Sequence, residues 1–172
     1  MRPAIFVDRD GTLNRDCPYC ASPEQIYLFE DIFMPLKELS RDFYIIIVTN
    51  QSGVSRGYFT EKDLENIHKK IKNEIENRGG RIDAIYYCTA LPEDNNPCRK
   101  PRTGMIERAL KDFDIDLKNS WVVGNDENDT QLAKNVGIKS IRVRLGSNAP
   151  ADFVAYDFYE VLKIIRKNMA KI

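Results

Sequence analysis

Short, nearly unbroken apolar runs alternate along this chain with longer stretches in which apolar residues recur every three or four positions. Residues 4–7, 44–48, 84–87 and 121–123 are runs of the first kind, dominated by β-branched and aromatic side chains. Runs that are apolar on both faces predict parallel strands covered on both sides. Residues 140–143 alternate instead, which predicts a strand at a sheet edge. Leu64, Ile67, Ile71 and Ile75 keep helical spacing; Thr60-Glu61-Lys62-Asp63 ahead of them has capping-box form and Gly79-Gly80 closes the segment. Phe158, Val161, Leu162, Ile165 and Met169 form a second stripe, and residues 32–43, 104–113 and 128–136 predict shorter helices. Strand and helix alternate five times, so the expected fold is α/β: a doubly wound, mostly parallel sheet in a single domain, residues 1–172.

Composition adds exclusions. Lysine plus arginine number 26 and aspartate plus glutamate 26, so no global field favours nucleic acid or an anionic membrane. The longest clean apolar run, residues 44–48, is far too short to cross a bilayer, and Met1-Arg2-Pro3 leads straight into an apolar run with no signal-peptide pattern, so a cytoplasmic location is expected. In that compartment Cys17, Cys20, Cys88 and Cys98 are expected to be thiols or metal ligands rather than disulfides.

In doubly wound sheets ligands bind at the carboxyl ends of the strands, near the switch in strand order. The first run ends in Asp8-Arg9-Asp10-Gly11-Thr12, the second in Thr49-Asn50-Gln51-Ser52-Gly53, the third leads through a loop to Arg99-Lys100-Pro101, and the fourth ends in Gly124-Asn125-Asp126-Glu127-Asn128-Asp129. Together they offer a carboxylate nucleophile, a second carboxyl for proton transfer, a hydroxyl, a fixed cation and an acidic cluster. Phosphoryl transfer needs that set: a phosphate dianion repels an attacking carboxylate, so a hard cation such as Mg²⁺ must neutralise both. Lys100 and the groups around Thr49 and Asn50 are expected to bind phosphate oxygens. Neither Gly-x-Gly-x-x-Gly nor a Walker-type loop is present, so side chains must hold the phosphate.

On these residues the chain resembles the haloacid-dehalogenase (HAD) superfamily, with Asp8 to Thr12, Thr49, Lys100 and Gly124 to Asp129 as its four motifs. Thr49 to Thr60 and Cys98-Arg99-Lys100-Pro101 further resemble the D-glycero-D-manno-heptose 1,7-bisphosphate 7-phosphatases and their histidinol-phosphatase relatives. The resemblance implies a HAD-like Rossmannoid fold with minimal or no cap and a phosphatase acting on a small phosphorylated metabolite, a heptose bisphosphate first and histidinol phosphate second. It implies that Asp8 becomes an aspartyl phosphate and that Asp10 serves as acid and then base. It also implies Mg²⁺ held by the Asp8 carboxylate, the Asp10 backbone carbonyl and a fourth-motif side chain, with Thr49 and Lys100 on the phosphoryl group and Arg99 selecting substrate.

The chain departs from the family at two places. Asn125 stands where Asp is usual; its amide oxygen is expected to ligate Mg²⁺, with Asp126 as the alternative. The family's zinc loop is incomplete: Cys88 and Cys98 remain, with Ala90 and Asn96 where further ligands would stand. Cys17 and Cys20 lie in a loop expected at the same sheet edge, which leaves two readings: one Cys₄ zinc site, or four reduced cysteines. A redox reading of Cys17-Pro18-Tyr19-Cys20 lacks the expected strand-to-helix context. His68 is expected to pack at a helix boundary, Lys69, Lys70 and Lys72 to form a solvated face, and Trp121 to join the core. Two other functions compete: a polynucleotide 3′-phosphatase, disfavoured by the neutral charge, and a phosphate-binding module without activity, disfavoured by the presence of both Asp8 and Asp10.

Overall fold

A computed structural model describes residues 1–144 and 146–169. Six strands, β1 (Ala4–Val7), β2 (Tyr44–Asn50), β3 (Ala84–Cys88), β4 (Trp121–Gly124), β5 (Lys139–Val143) and β6 (Phe153–Ala155), form one sheet in the order β3-β2-β1-β4-β5-β6. Every pairing is parallel. Five helices, α1 (Phe33–Leu39), α2 (Glu61–Asn77), α3 (Gly104–Asp112), α4 (Glu127–Val136) and α5 (Phe158–Asn168), cover both faces. Among the described residues no helix is long and apolar enough to cross a membrane.

Alternation along each strand divides the core in two. Ile5, Val7, Ile45, Ile47 and Val123 face α1, α2 and α5, whereas Ala4, Phe6, Ile46, Val48 and Val122 face α3 and α4. Burying each valine, isoleucine and phenylalanine among these contributes about 1.5–3 kcal/mol, which accounts for the apolar character of both strand faces. α2 begins on its capping box: the Thr60 hydroxyl accepts from the Asp63 amide at 3.1 Å and the Asp63 carboxylate from the Thr60 amide at 2.8 Å.

Three expectations need correction. β5 is not an edge strand, because β6 pairs with it and takes that place. α1 spans seven residues instead of twelve: a turn of 3₁₀ helix at Glu30–Ile32 precedes it, and Phe43 joins the same core from the turn after it. Met169 lies past the end of α5 and is 38% exposed, outside the buried stripe.

The strand order reverses between β1 and β4, and the first and fourth motifs leave the sheet side by side there. The segment between β1 and α1 forms an ordered loop over this edge. Lys70 ties it down by donating to the carbonyls of Pro23 (2.7 Å) and Ile26 (2.9 Å), so this lysine is a tether and not a purely solvated charge.

Candidate active site

Asp8 ends β1, its amide donating to the Val123 carbonyl of β4 at 3.0 Å. Its Oδ1 accepts from Lys100 Nζ at 2.9 Å. The same ammonium donates to Asp129 Oδ1 at 2.8 Å and to the Val48 carbonyl at 2.9 Å. All three ammonium protons are thereby used, so this buried lysine clamps two carboxylates to the end of β2. Burial pushes the Asp8 carboxyl above the ordinary carboxylate range, against the pull of Lys100. It pushes Asp129 the same way, with the Asp8 charge adding to it. Burial alone would lower the Lys100 ammonium, but the Asp129 and Asp8 carboxylates outweigh it and hold it above its usual value.

Asp10 is bound on both oxygens. Oδ1 accepts from Arg9 Nε (3.0 Å), Arg9 Nη2 (2.9 Å) and Asn14 Nδ2 (3.0 Å); Oδ2 accepts from Gln51 Nε2 (3.0 Å) and, less closely, Arg9 Nη2 (3.1 Å). Arg9 is 1% exposed, and its Nη1 reaches His68 Nε2 at 3.1 Å. His68 is therefore not a helix-boundary residue: it is buried, and burial followed by the Arg9 charge pushes its imidazole down to about 3. The neutral ring accepts the arginine proton.

One cavity of about 240 Å³ is lined by Asp8, Asp10, Thr49, Asn50, Arg99, Lys100, Asn125 and Asp126, every residue the sequence pointed to for phosphate and Mg²⁺, together with Asp16 and Asn128. Two of them make further contacts within the protein. The Asn50 side chain accepts from the Lys100 amide (2.9 Å) and donates to the Lys100 carbonyl (3.1 Å), so it also holds the loop at the cavity. Lys100, with its protons spent, orients Asp8. Thr49 is buried and its hydroxyl accepts from Gln51 Nε2 at 2.9 Å. Arg99 uses Nη1 on the Ala90 carbonyl at 2.9 Å, and its side chain borders the cavity.

The fourth motif turns on two close approaches. A Cβ at Gly124 would collide with the Asp129 carboxyl, and one at Gly11, where φ is +78°, would collide with the Asn125 amide. With no side chain there, Asp129 Oδ2 accepts from the amides of Asn125 (3.2 Å) and Asp126 (3.3 Å), and Asn125 lies over the first motif. Thr12 Oγ1 sits 3.3 Å from Asn125 Oδ1 and 3.4 Å from Asp8 Oδ2, bracketing those two oxygens on one side of the cavity. Asp126 Oδ1 caps α4 by accepting from the Asn128 amide at 2.8 Å.

This donor set fits Mg²⁺. It consists of oxygens, and the carboxylates of Asp8, Asp10, Asp16, Asp126 and Asp129 outnumber the cations Arg9, Arg99 and Lys100. The cap contact on Asp126 favours Asn125 as the fourth-motif ligand, and the Asp10 carboxylate, committed to its three partners, is no ligand through its side chain.

The cysteines follow neither of the two arrangements expected of them, a shared zinc site or four thiols. The structure pairs Cys17 with Cys20 (Cα–Cα 5.6 Å) and Cys88 with Cys98 (5.5 Å) as disulfides. The first pair packs with the core on one sheet face and the second with the core on the other, so β1 to β3 stand between them. Among the described residues no group of three or more cysteine and histidine side chains is gathered, as a thiolate zinc site requires. Sequence reasoning named Arg9, Gln51 and Asp129 only as members of the strand-end clusters, with no role of their own, and left His68 out of the site. The spacing from Asn125 to Asp129, one helical turn, was the available signal for the role of Asp129; nothing in the pattern gave Arg9, Gln51 or His68 theirs.

Comparison with known proteins finds relatives of one family. The HAD-hydrolase-like family model matches residues 97–164. A protein of Thermoplasma volcanium named as a probable D-glycero-D-manno-heptose-1,7-bisphosphate 7-phosphatase is 43% identical over 134 residues, 77% of this chain and 92% of its own length. The D-glycero-beta-D-manno-heptose-1,7-bisphosphate 7-phosphatase of Haemophilus ducreyi is 36% identical over 160 residues, 88% of either chain. The crystal structure of D,D-heptose 1,7-bisphosphate phosphatase from B. bronchiseptica complexed with magnesium and phosphate superposes with a TM-score of 0.87 at 30% identity, covering 97% of this chain and 99% of that one.

Proposed function

The chain belongs to the D-glycero-D-manno-heptose-1,7-bisphosphate 7-phosphatase family of HAD-like hydrolases, and from that premise we propose that it removes the 7-phosphate of D-glycero-D-manno-heptose 1,7-bisphosphate with Asp8 as nucleophile and Asp10 as acid and base. The observation that carries the assignment is the single cavity where Asp8, Asp10, Thr49, Arg99 and Asn125 meet, on the lysine clamp that aims Asp8.

An Asp8 carboxylate oxygen attacks phosphorus, and the bond from phosphorus to the sugar oxygen breaks. Asp10 gives its proton to the departing alkoxide. A water molecule then loses a proton to Asp10 and attacks the aspartyl phosphate, releasing inorganic phosphate and restoring both carboxyl groups. Lys100 keeps the Asp8 carboxylate in one orientation throughout, and the Thr49 hydroxyl and Arg99 guanidinium meet the phosphoryl oxygens and the rest of the substrate. Mg²⁺, held by Asp8, the Asp10 backbone carbonyl and Asn125, would neutralise the phosphate dianion against the attacking carboxylate. The substrate is a small phosphorylated sugar, and the balanced charge of the chain, 26 basic against 26 acidic residues, does not suit a polynucleotide.

Phosphate release from the heptose 1,7-bisphosphate, with Mg²⁺ and with EDTA, tests the assignment. Magnesium-dependent release of one phosphate, the 7-phosphate, is expected, with at least a 10-fold preference over histidinol phosphate and over a 3′-phosphorylated oligonucleotide, a discrimination worth about 1.4 kcal/mol. Preference for either competitor contradicts the substrate, and release that persists in Asp8→Asn contradicts the nucleophile.

A further inference from the structure

We propose that His68 is a positioning residue for this reaction: it fixes the guanidinium of Arg9, through it the Asp10 carboxylate, and thereby the proton transfer to the leaving group. The inference rests on the phosphatase reading and adds to it a residue on α2 whose hydrogen bond goes to Arg9 and not to Asp10.

Arg9 is among the largest fully buried side chains in the molecule. A buried guanidinium costs several kcal/mol unless its charge is paired and its protons are accepted. Nε and Nη2 meet that demand at Asp10, and Nη1 turns the other way to His68. Arginine only donates, so Nε2 of His68 must be the acceptor and the ring's remaining proton sits on Nδ1. Because the guanidinium is rigid and planar, the contact at Nη1 sets the tilt of Nε and Nη2 as well. Lose the acceptor, and the whole plane is free to turn away from Asp10.

What it would turn away from matters for the chemistry. Oδ1 of Asp10 is saturated by Arg9 and Asn14, whereas Oδ2 holds Gln51 and only the longer Arg9 contact. Oδ2 is thus the oxygen with room for a proton, and the plane of Arg9 decides where it points. The Asp10 side chain is 26% exposed, consistent with its place on the cavity wall. A misplacement of about 1 Å in such a group costs on the order of 10²-fold in rate. A packing role alone would come from the ring of His68 lying 5.7 Å from that of Tyr87, and it would carry no dependence on the leaving group.

That dependence is the test. Values of kcat/KM for the wild type, His68→Leu and His68→Gln are compared on the heptose 1,7-bisphosphate, an alkyl ester whose alkoxide must be protonated, and on p-nitrophenyl phosphate, whose phenolate leaves without a proton. His68→Leu is expected to lose about 30–100-fold on the sugar phosphate and no more than about 3-fold on the aryl ester. His68→Gln, whose Oε1 reaches the place of Nε2, is expected to recover most of the loss. Arg9→Lys keeps the charge but lacks the fork, and should show the same split should the leucine variant fail to fold. Equal losses on both esters, or a glutamine variant no better than leucine, overturn the proposal while leaving the phosphatase reading in place. A wild type that hydrolyses neither ester overturns both.

Discussion

The buried imidazole of His68 makes stability depend on pH in a way that can be isolated from every other group. In the folded protein it titrates at about 3, against an ordinary 6.5 in an unfolded chain, because burial and the adjacent Arg9 both penalise the charged ring. Between those values the unfolded state binds the extra proton, so stability falls as pH drops through 6.5, by about 1.4 kcal/mol per unit. At pH 7.5 almost none is lost; at pH 5.0 the loss reaches about 2 kcal/mol. Glutamine at this position does not titrate. Denaturant unfolding of the wild type and His68→Gln at both pH values should therefore show the stability difference moving by about 2 kcal/mol in favour of the variant on acidification. Carboxylates elsewhere titrate equally in the two proteins and cancel. A difference that is the same at both pH values refutes the reasoning, since His68 would then be free to take up a proton in the folded state.

Lys100→Met removes the cation shared by Asp8 and Asp129 and leaves two buried carboxylates facing each other; a loss of about 3–5 kcal/mol of stability and at least 10²-fold in kcat is expected by calorimetry and phosphate release, and a variant with wild-type activity contradicts the clamp. Gly124→Ala places a methyl group against the Asp129 carboxyl and should lower stability by about 1–3 kcal/mol while depressing activity; an unchanged thermal midpoint would show that the approach is looser than described. Thiol titration in denaturant without reductant should find none of the four cysteines free, and metal analysis should find no stoichiometric zinc. Four titratable thiols together with bound zinc would reinstate the thiolate site.

Four of the five longer strands were legible as nearly continuous apolar runs, and β5 as an alternating segment, though its alternation pointed to an edge that β6 occupies. β6 was not: Phe153-Val154-Ala155 is three residues long with Val154 exposed, and only its pairing with β5 makes it a strand. Strand order placed the four motifs at one crevice, so the cavity's main residues could be named in advance. Their hydrogen bonds could not. Asn50 and Lys100 were expected at the phosphate, and the pattern gave no sign that they also anchor the loop that crosses the strand ends. The same limit applies to His68, whose place beside the apolar stripe of α2 predicted packing at its boundary and neither its burial nor the arginine it meets. For the cysteines, loop proximity suggested one cluster; the parity of β3 decided otherwise, since Cys88 points to the same face as Tyr86 while Cys17 and Cys20 pack on the other.

Acid-quenched enzyme, caught during turnover of the heptose 1,7-bisphosphate with Mg²⁺ and reduced with borohydride to convert any acyl phosphate to an alcohol, can be read directly by peptide mass spectrometry. Modification confined to Asp8 is the result required here. An active enzyme in which Asp8 stays unmodified and Asp10 or Asp126 carries the label would contradict the assignment of the nucleophile.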